Sequence, residues 1–224
     1  MKHPFYTKSN KEQQNIQIRI GLVAFTLIGL GFFIAMKTGF LIIGVLILVI
    51  VLSIIAPFFD TPSLKKTGQL IYHSTMLLSE KSKNGTIKIH GGTLLDYVFV
   101  IDRNLSGKQR TAFILQQYLE GILHLIETNK DYKDLKVKGT SYIISERTAQ
   151  KLGFNTSSTD YIQIFMLSFN YLNLLASNSI SKGKIAFPNL RRTCTFETTI
   201  GAIEKNKSYI SSLNKSLKNK LNGI

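Results

Sequence analysis

From Ile20 to Ala56 the chain carries one charged residue, Lys37, in a run of Leu, Ile, Val, Phe, Gly and Ala with a few small polar residues. A single helix over this run would extend roughly 55 Å, against a bilayer hydrocarbon core of about 30 Å. The segment Met36-Lys-Thr-Gly-Phe40 supplies a charge, a hydroxyl and a flexible glycine near the midpoint. The pattern therefore predicts two membrane helices, 20–36 and 40–59, joined by a very tight loop. Pro57 falls near the end of the second, where a lost helical donor is tolerated. Neither stretch has a polar face, which argues against a buried hairpin of a soluble protein. No small-x-small site follows the long apolar run, which argues against a cleaved signal peptide.

Beyond residue 61 the periods change. Residues 70–79 read as a helix followed by a strand, leading to a turn at Asn84-Gly85. Ile87 and Ile89 alternate with Thr86, Lys88 and His90 as a half-buried strand. Residues 94–102 are apolar on both faces in the middle and predict a central buried strand. Ser106 then caps a helix over 108–127 with an apolar stripe of Leu115, Leu119, Ile122 and Ile126. A strand over 136–145 follows, then a short helix over 146–152 capped by Ser145 and ended by Gly153.

Residues 161–179 predict one long helix with Gln163, Asn170, Asn173 and Ser177 on one side and apolar residues elsewhere. It is short of a full span and is expected to be a core helix that also touches a membrane surface. In the tail, 199–221, Ile203, Ile210, Leu213, Leu217 and Leu221 recur at helical steps, with Lys205, Lys207, Lys215, Lys218 and Lys220 between them. This amphipathic basic helix suits a membrane surface or a partner groove; the competing reading is a packed C-terminal helix with its lysines in water.

The fold class is thus a membrane-anchored α/β chain. A basic arm (1–19) leads into a two-helix transmembrane hairpin, and a soluble mixed α/β domain (62–224) follows, with a small sheet packed by helices. Composition sharpens this. The 224 residues carry a net charge of +15 yet are 44% hydrophobic. Residues 62–224 hold 23 Lys and Arg against 11 Asp and Glu. Lys2, Lys8, Lys11 and Arg19 precede the first helix, and Lys65 and Lys66 follow the second. The positive-inside rule then puts both termini in the cytoplasm and Lys37 outside. The abundance of Lys, Ile and Asn suits an AT-rich bacterial genome, hence a bacterial inner membrane. The single Cys194 permits no disulfide framework and no cysteine zinc cluster.

Candidate chemistry gathers in Lys88-Ile-His-Gly-Gly-Thr-Leu-Leu-Asp-Tyr97. His90, Thr93 and Asp96 are the candidate catalytic residues, and Gly91 and Gly92 would leave backbone donors uncovered for a ligand. Arg110 and Arg147, each at a predicted helix start, could hold a phosphate or carboxylate. The competing reading makes the glycine pair a structural bend. As strand residues, Asp96 and Asp102 would stand roughly 20 Å apart, against the about 5–10 Å of paired glycosidase carboxylates. Glu120, His124 and Glu127 share a helix face, read as solvated; no metal and no cofactor is expected. The nucleophile elbow, phosphate loop and His-Glu-x-x-His signatures are absent.

The leading expectation is a non-enzymatic inner-membrane protein whose basic domain binds the anionic membrane surface, or an acidic or membrane-associated partner, in a regulatory, immunity or assembly role. The alternative is a membrane-associated enzyme acting on an anionic or lipid-linked substrate. Nucleic acid ranks below both: around Arg191, Arg192 and the basic tail the stacking aromatics are only Phe187, Phe196 and Tyr209. Gly31-x-x-x-Ala35 offers a small-residue face for a homo-oligomer.

Overall fold

The computed structural model describes residues 3–222. Two antiparallel helices, α1 (Asn10–Thr38) and α2 (Leu41–Lys66), open the chain. Both are long and apolar enough to cross a membrane. Each reaches well beyond its apolar run. Ser9 and Glu12 form a capping box that starts α1 ten residues before the apolar stretch. Gly39, at φ +72°, ends it in the left-handed conformation that glycine favours.

The helices pack closely through small residues. A Cβ on Gly31 would lie 2.8 Å from the Ile47 side chain, and one on Gly44 would lie 2.9 Å from Phe32. Gly31 and Ala35 are buried inside the hairpin. The oligomer face expected from this pair is therefore already occupied, by the chain's own second helix.

The domain continues with β1 (Leu70–Tyr72), β2 (Leu77–Glu80), β3 (Thr86–Gly91), α3 (Leu94–Val100), α4 (Gly107–Thr128) and β4 (Lys136–Ser141). Then come α5 (Glu146–Lys151), β5 (Asn155–Ser158), α6 (Tyr161–Phe169), α7 (Tyr171–Lys182), β6 (Cys194–Thr199), α8 (Ile200–Lys205) and α9 (Lys207–Asn222). The strands form one open six-stranded sheet in the order β1-β2-β3-β4-β6-β5. Only the β3–β4 pair is parallel, bridged by the α3–α4 crossover. The β2–β3 hairpin turns at Asn84 and Gly85, both at positive φ, as the Asn-Gly pair predicts.

One sheet face carries Leu77, Ile87, Ile89, Val137, Cys194 and Phe196 into a core closed by α4, α8 and α9. The expected α4 stripe holds, with Ile114, Tyr118 and Leu125 added to it. The other face, bearing Lys88, His90, Lys138 and Glu197, stays largely open. A second core forms where the parts meet: Phe5, Phe58, Leu94 and Leu95, with Ile54, Ala176 and Ile180 against them. The arm ahead of α1 is thus docked on the domain.

Several expectations are corrected. The stretch expected as a strand over 94–102 instead forms helix α3, Leu94–Val100, because Thr93 and Asp96 make a capping box directly after the glycine pair. Residues 70–79 form two short antiparallel strands. The helix expected over 161–179 breaks at Asn170 into α6 and α7, and α6 buries no residue, so it is no core helix. The tail breaks at Asn206. Its apolar stripe, through Ile210, Leu213 and Leu217, packs on the main core. Strands β5 and β6 had no counterpart in the sequence pattern. β5 is four small polar residues, and the alternation in β6 rests on threonines.

Helix α4 lies close against the sheet at Gly121, where a Cβ would lie 2.6 Å from Leu77 Cβ. Gly121→Ala should force helix and strand apart and cost about 1–3 kcal/mol. A lowered thermal midpoint of the purified full-length protein would register it; an unchanged midpoint would contradict this packing.

Candidate functional site

Asp96 is fully buried, yet among the described residues no lysine or arginine pairs with it. Its side chain instead accepts four hydrogen bonds. Oδ1 accepts from His3 Nε2 at 3.0 Å and from the Tyr72 hydroxyl at 2.7 Å. Oδ2 accepts from the Thr93 backbone N–H at 2.6 Å and from Thr93 Oγ1 at 3.0 Å. Those contacts fill the acceptor capacity of a carboxylate. His3 Nδ1 accepts from the Phe5 N–H at 3.2 Å, which fixes the tautomer with the proton on Nε2, facing Asp96.

The network extends outward. Tyr6 and Tyr72 hydroxyls meet at 3.3 Å, and Thr61 of α2 donates to Thr93 at 3.3 Å. Lys65 Nζ stands 3.5 Å above the Tyr6 ring. Burial first, and Asp96 after it, push the Tyr72 phenol far up; burial raises Tyr6 to about 12. Both stay protonated donors at neutral pH. One carboxylate thus ties the N-terminal arm, the end of α2, β1 and α3 together.

The structure separates the candidate residues of the opening stretch. Asp96 turns inward to His3. Half-exposed His90 instead pairs across the hairpin with Glu80 at 2.9 Å. Thr93 serves as the helix cap. Gly91 and Gly92 are packing positions: a Cβ on Gly91 would lie 2.5 Å from the Tyr118 hydroxyl, and one on Gly92 would lie 2.9 Å from Met76 Cε. The largely apolar cavity beneath, lined by Gly91, Tyr118, Ile122, Leu152 and Phe196 among others, measures about 40 Å³, room for a few waters.

Buried Arg110 directs its guanidinium to three carbonyls, those of Leu105, Arg103 and Ile180, and so closes the end of α7. Arg147 lies exposed on α5. Lys205, Lys207, Lys215, Lys218 and Lys220 point outward from α8 and α9, with Lys207 2.8 Å from Glu127. The tail's apolar stripe is covered by the domain, so no amphipathic face is left over. Glu120, His124 and Glu127 do not converge. Among the described residues no three His, Cys, Asp or Glu side chains gather to hold a metal.

Sequence reasoning missed the two contacts that orient the hairpin. Pro57 and Pro62 both lie inside α2, and each lacks the N–H that would bond the carbonyl four residues earlier. Those carbonyls belong to Ser53 and Phe58. Asn173 Nδ2 of α7 donates to Ser53 O at 2.9 Å, and Gln17 Nε2 of α1 donates to Phe58 O at 2.9 Å. Asn173 Oδ1 is left buried without a donor, so the amide is held there by its NH₂ alone. The signal in the sequence was the proline pair. It announces two freed carbonyls but not the donors, which lie 120 and 41 residues away.

No known family model matches this chain, and the curated proteins and solved structures hold no significant match to it. The fold and the site define a class in plain structural terms: two long apolar helices, tied to each other at the Phe58 carbonyl and to a mixed α/β domain through the Ser53 carbonyl and a buried carboxylate.

Two predictions follow from these contacts. Asp96→Ala strands His3, Tyr72 and the Thr93 N–H, at about 1–3 kcal/mol for each buried group left unpaired. The arm should come loose, and trypsin should cut after Lys8 in the variant but not in the parent. Equal resistance would show that the arm is held by Phe5 alone.

His73, buried between Ser79 at 2.9 Å and His124 at 3.5 Å, has its pKa lowered to about 4, by burial first and His124 second. Below about pH 6.5 the unfolded histidine takes a proton that folded His73 refuses until about pH 4. Stability should therefore fall as pH drops through that window, by up to about 3 kcal/mol at 1.36 kcal/mol per pKa unit. Denaturant midpoints at pH 7 and pH 5 check this. His73→Gln should flatten the difference.

Proposed function

We propose that this chain is an integral protein of a bacterial inner membrane, with both termini cytoplasmic, whose basic domain holds the anionic headgroups of that membrane. The observation that carries the reading is the apolar surface around the hairpin. Leu22, Val23, Phe25, Leu46, Val49 and Leu52 are all exposed, and no part of the domain covers them. Leaving such side chains in water costs roughly 1.5–3 kcal/mol each. A hydrocarbon surround removes that cost.

The capped carbonyls support the same reading, because lipid supplies no donors and a proline-bearing span must find them in the protein. The sheet supports the headgroup part. Lys88 and Lys138 are register partners on its open face. Glu197 stands opposite Lys138 on the other side, but Lys88 faces Lys138 as a like charge, and an anion beside the pair offsets that repulsion. Lys65, Lys66, Lys81 and Lys83 line grooves at the base of α2 beside that face. Each lysine near an anionic leaflet contributes about 1 kcal/mol.

Topology and headgroup preference are tested separately. In a Cys194→Ala background, Lys37→Cys should react with an impermeant maleimide in intact cells, and Tyr132→Cys only after permeabilisation. The reverse pattern overturns the orientation, and extraction of the protein at alkaline pH overturns the anchor. In native mass spectrometry from neutral detergent, the full chain should retain phosphatidylglycerol over phosphatidylcholine. The Lys88→Gln/Lys138→Gln double variant should retain fewer anionic lipids. Equal retention of both lipids overturns the headgroup role.

A further inference from the structure

Helix α6 has no charged residue and buries none of its nine side chains. Tyr161 is 90% exposed, Phe165 66% and Phe169 73%, with Ile162 and Met166 also open. Such a helix gains almost nothing from the domain beneath it. Its polar anchor is Gln163, whose Oε1 accepts from Thr140 and from Thr195 on the open sheet face. The segment after α7 adds Ile185 and Phe187, both largely exposed and strapped to α7 through Asn178 and Ser179.

The position of this surface relative to the hairpin is fixed. Four residues after Phe169, Asn173 donates to Ser53 O. Ser53 lies seven residues along α2 from Asp60, about 10 Å at 1.5 Å per residue. The α6–α7 corner is thus held alongside α2 at a level inside its first acidic residue. Cations rim the patch: Arg191 and Arg192 are exposed in the short 3₁₀ turn that packs against α6, and Lys184 is exposed beside Ile185. An apolar helix lying about 5–10 Å deep, with basic residues at its margin, is the arrangement of an in-plane membrane helix.

We infer that α6, with Ile185 and Phe187, lies in the boundary between headgroups and acyl chains of the leaflet from which α2 emerges. It forms a wedge beside the hairpin and is a second, non-spanning contact with the bilayer. The occupant of the apolar face is lipid, not protein, because the Asn173–Ser53 bond sets it at the level of the hairpin's own apolar surface. This inference rests on the reading that the hairpin spans the membrane, and the test separates the two.

The full chain, Cys194→Ala, is reconstituted in nanodiscs containing phosphatidylglycerol. Single cysteines at Phe165, Phe169, Leu46 and Tyr132 carry an environment-sensitive fluorophore. All four positions are exposed, so the label displaces no core. Leu46 reports the hairpin and Tyr132 reports water. Labels at 165 and 169 should be quenched by lipids with a shallow nitroxide and be several-fold less sensitive to aqueous iodide than the label at 132. Iodide sensitivity equal to that at 132, with the Leu46 label still quenched from the lipid, overturns the wedge and leaves the anchor standing. Protection from both quenchers would mean that a protein surface, such as a second copy, covers α6, and also overturns it. A Leu46 label quenched by iodide and untouched by nitroxide lipids overturns anchor and wedge together.

Discussion

The carbonyls of Ser53 and Phe58 have no donor within their own helix, because Pro57 and Pro62 carry no N–H. An unpaired buried carbonyl costs about 1–3 kcal/mol, against a net stability of only about 5–15 kcal/mol for a typical folded protein. Each must be met from outside, and at fixed positions along α2. Gln17 meets the lower one and so sets the register of α1 against α2 at the base of the hairpin. Asn173 meets the upper one and so draws α7 against the hairpin. From these two bonds the rest of the junction follows. With α7 placed, Ala176 and Ile180 close on Leu94 and Leu95 of α3, and Ile54 and Phe58 fill the remaining side.

The Asp96 network acts on that same junction from the domain's side. A buried carboxylate is tolerable only when every acceptor position is filled. Filling them recruits His3 from the arm, Tyr72 from β1 and Thr93 from the start of α3. Removing any one donor would leave the others around an under-satisfied charge. The network is therefore cooperative, and it explains why the arm ahead of α1, residues 3–9, is docked at all. Phe5 supplies its apolar burial, and His3 supplies the specificity of where it lands.

Much of this was legible, and the failures are of two kinds. The apolar runs announce the two helices, and the Asn-Gly pair, the α4 stripe and the Ser145–Gly153 helix are placed by local signals. At the starts of α1 and α3 the reading overlooked a capping box. Ser9-x-x-Glu12 marks the true start of α1, and Thr93-x-x-Asp96 marks a helix in a stretch whose apolar density suggested a strand. Apolar density cannot tell a buried strand from a short buried helix, whereas a cap can. The failures at the site are of another kind. Asp96 sits 93 residues from His3, and Ser53 120 from Asn173. No spacing rule links such pairs. A single sequence shows that a group needs a partner, but only the fold shows which.

That need also explains why the apparent catalytic cluster dissolved. The residue types that do chemistry are those that satisfy buried polar groups: carboxylates, histidines, amides and hydroxyls. In this chain the junction between an apolar hairpin and a polar domain creates more such demands than an ordinary core does, because helix, arm and sheet meet at different angles. Asp96, His3, Thr93, Arg110, Gln17 and Asn173 all answer them. Among what remains on the surface, two groups stand out, one cationic and one apolar. Lysines stand on the open sheet face and at the base of α2, and aromatic and aliphatic side chains stand on the hairpin and α6. The polar junction holds those two surfaces in one fixed relation: the Asn173–Ser53 bond ties α7 to the hairpin, and the Asp96 network ties the arm and the end of α2 to β1 and α3.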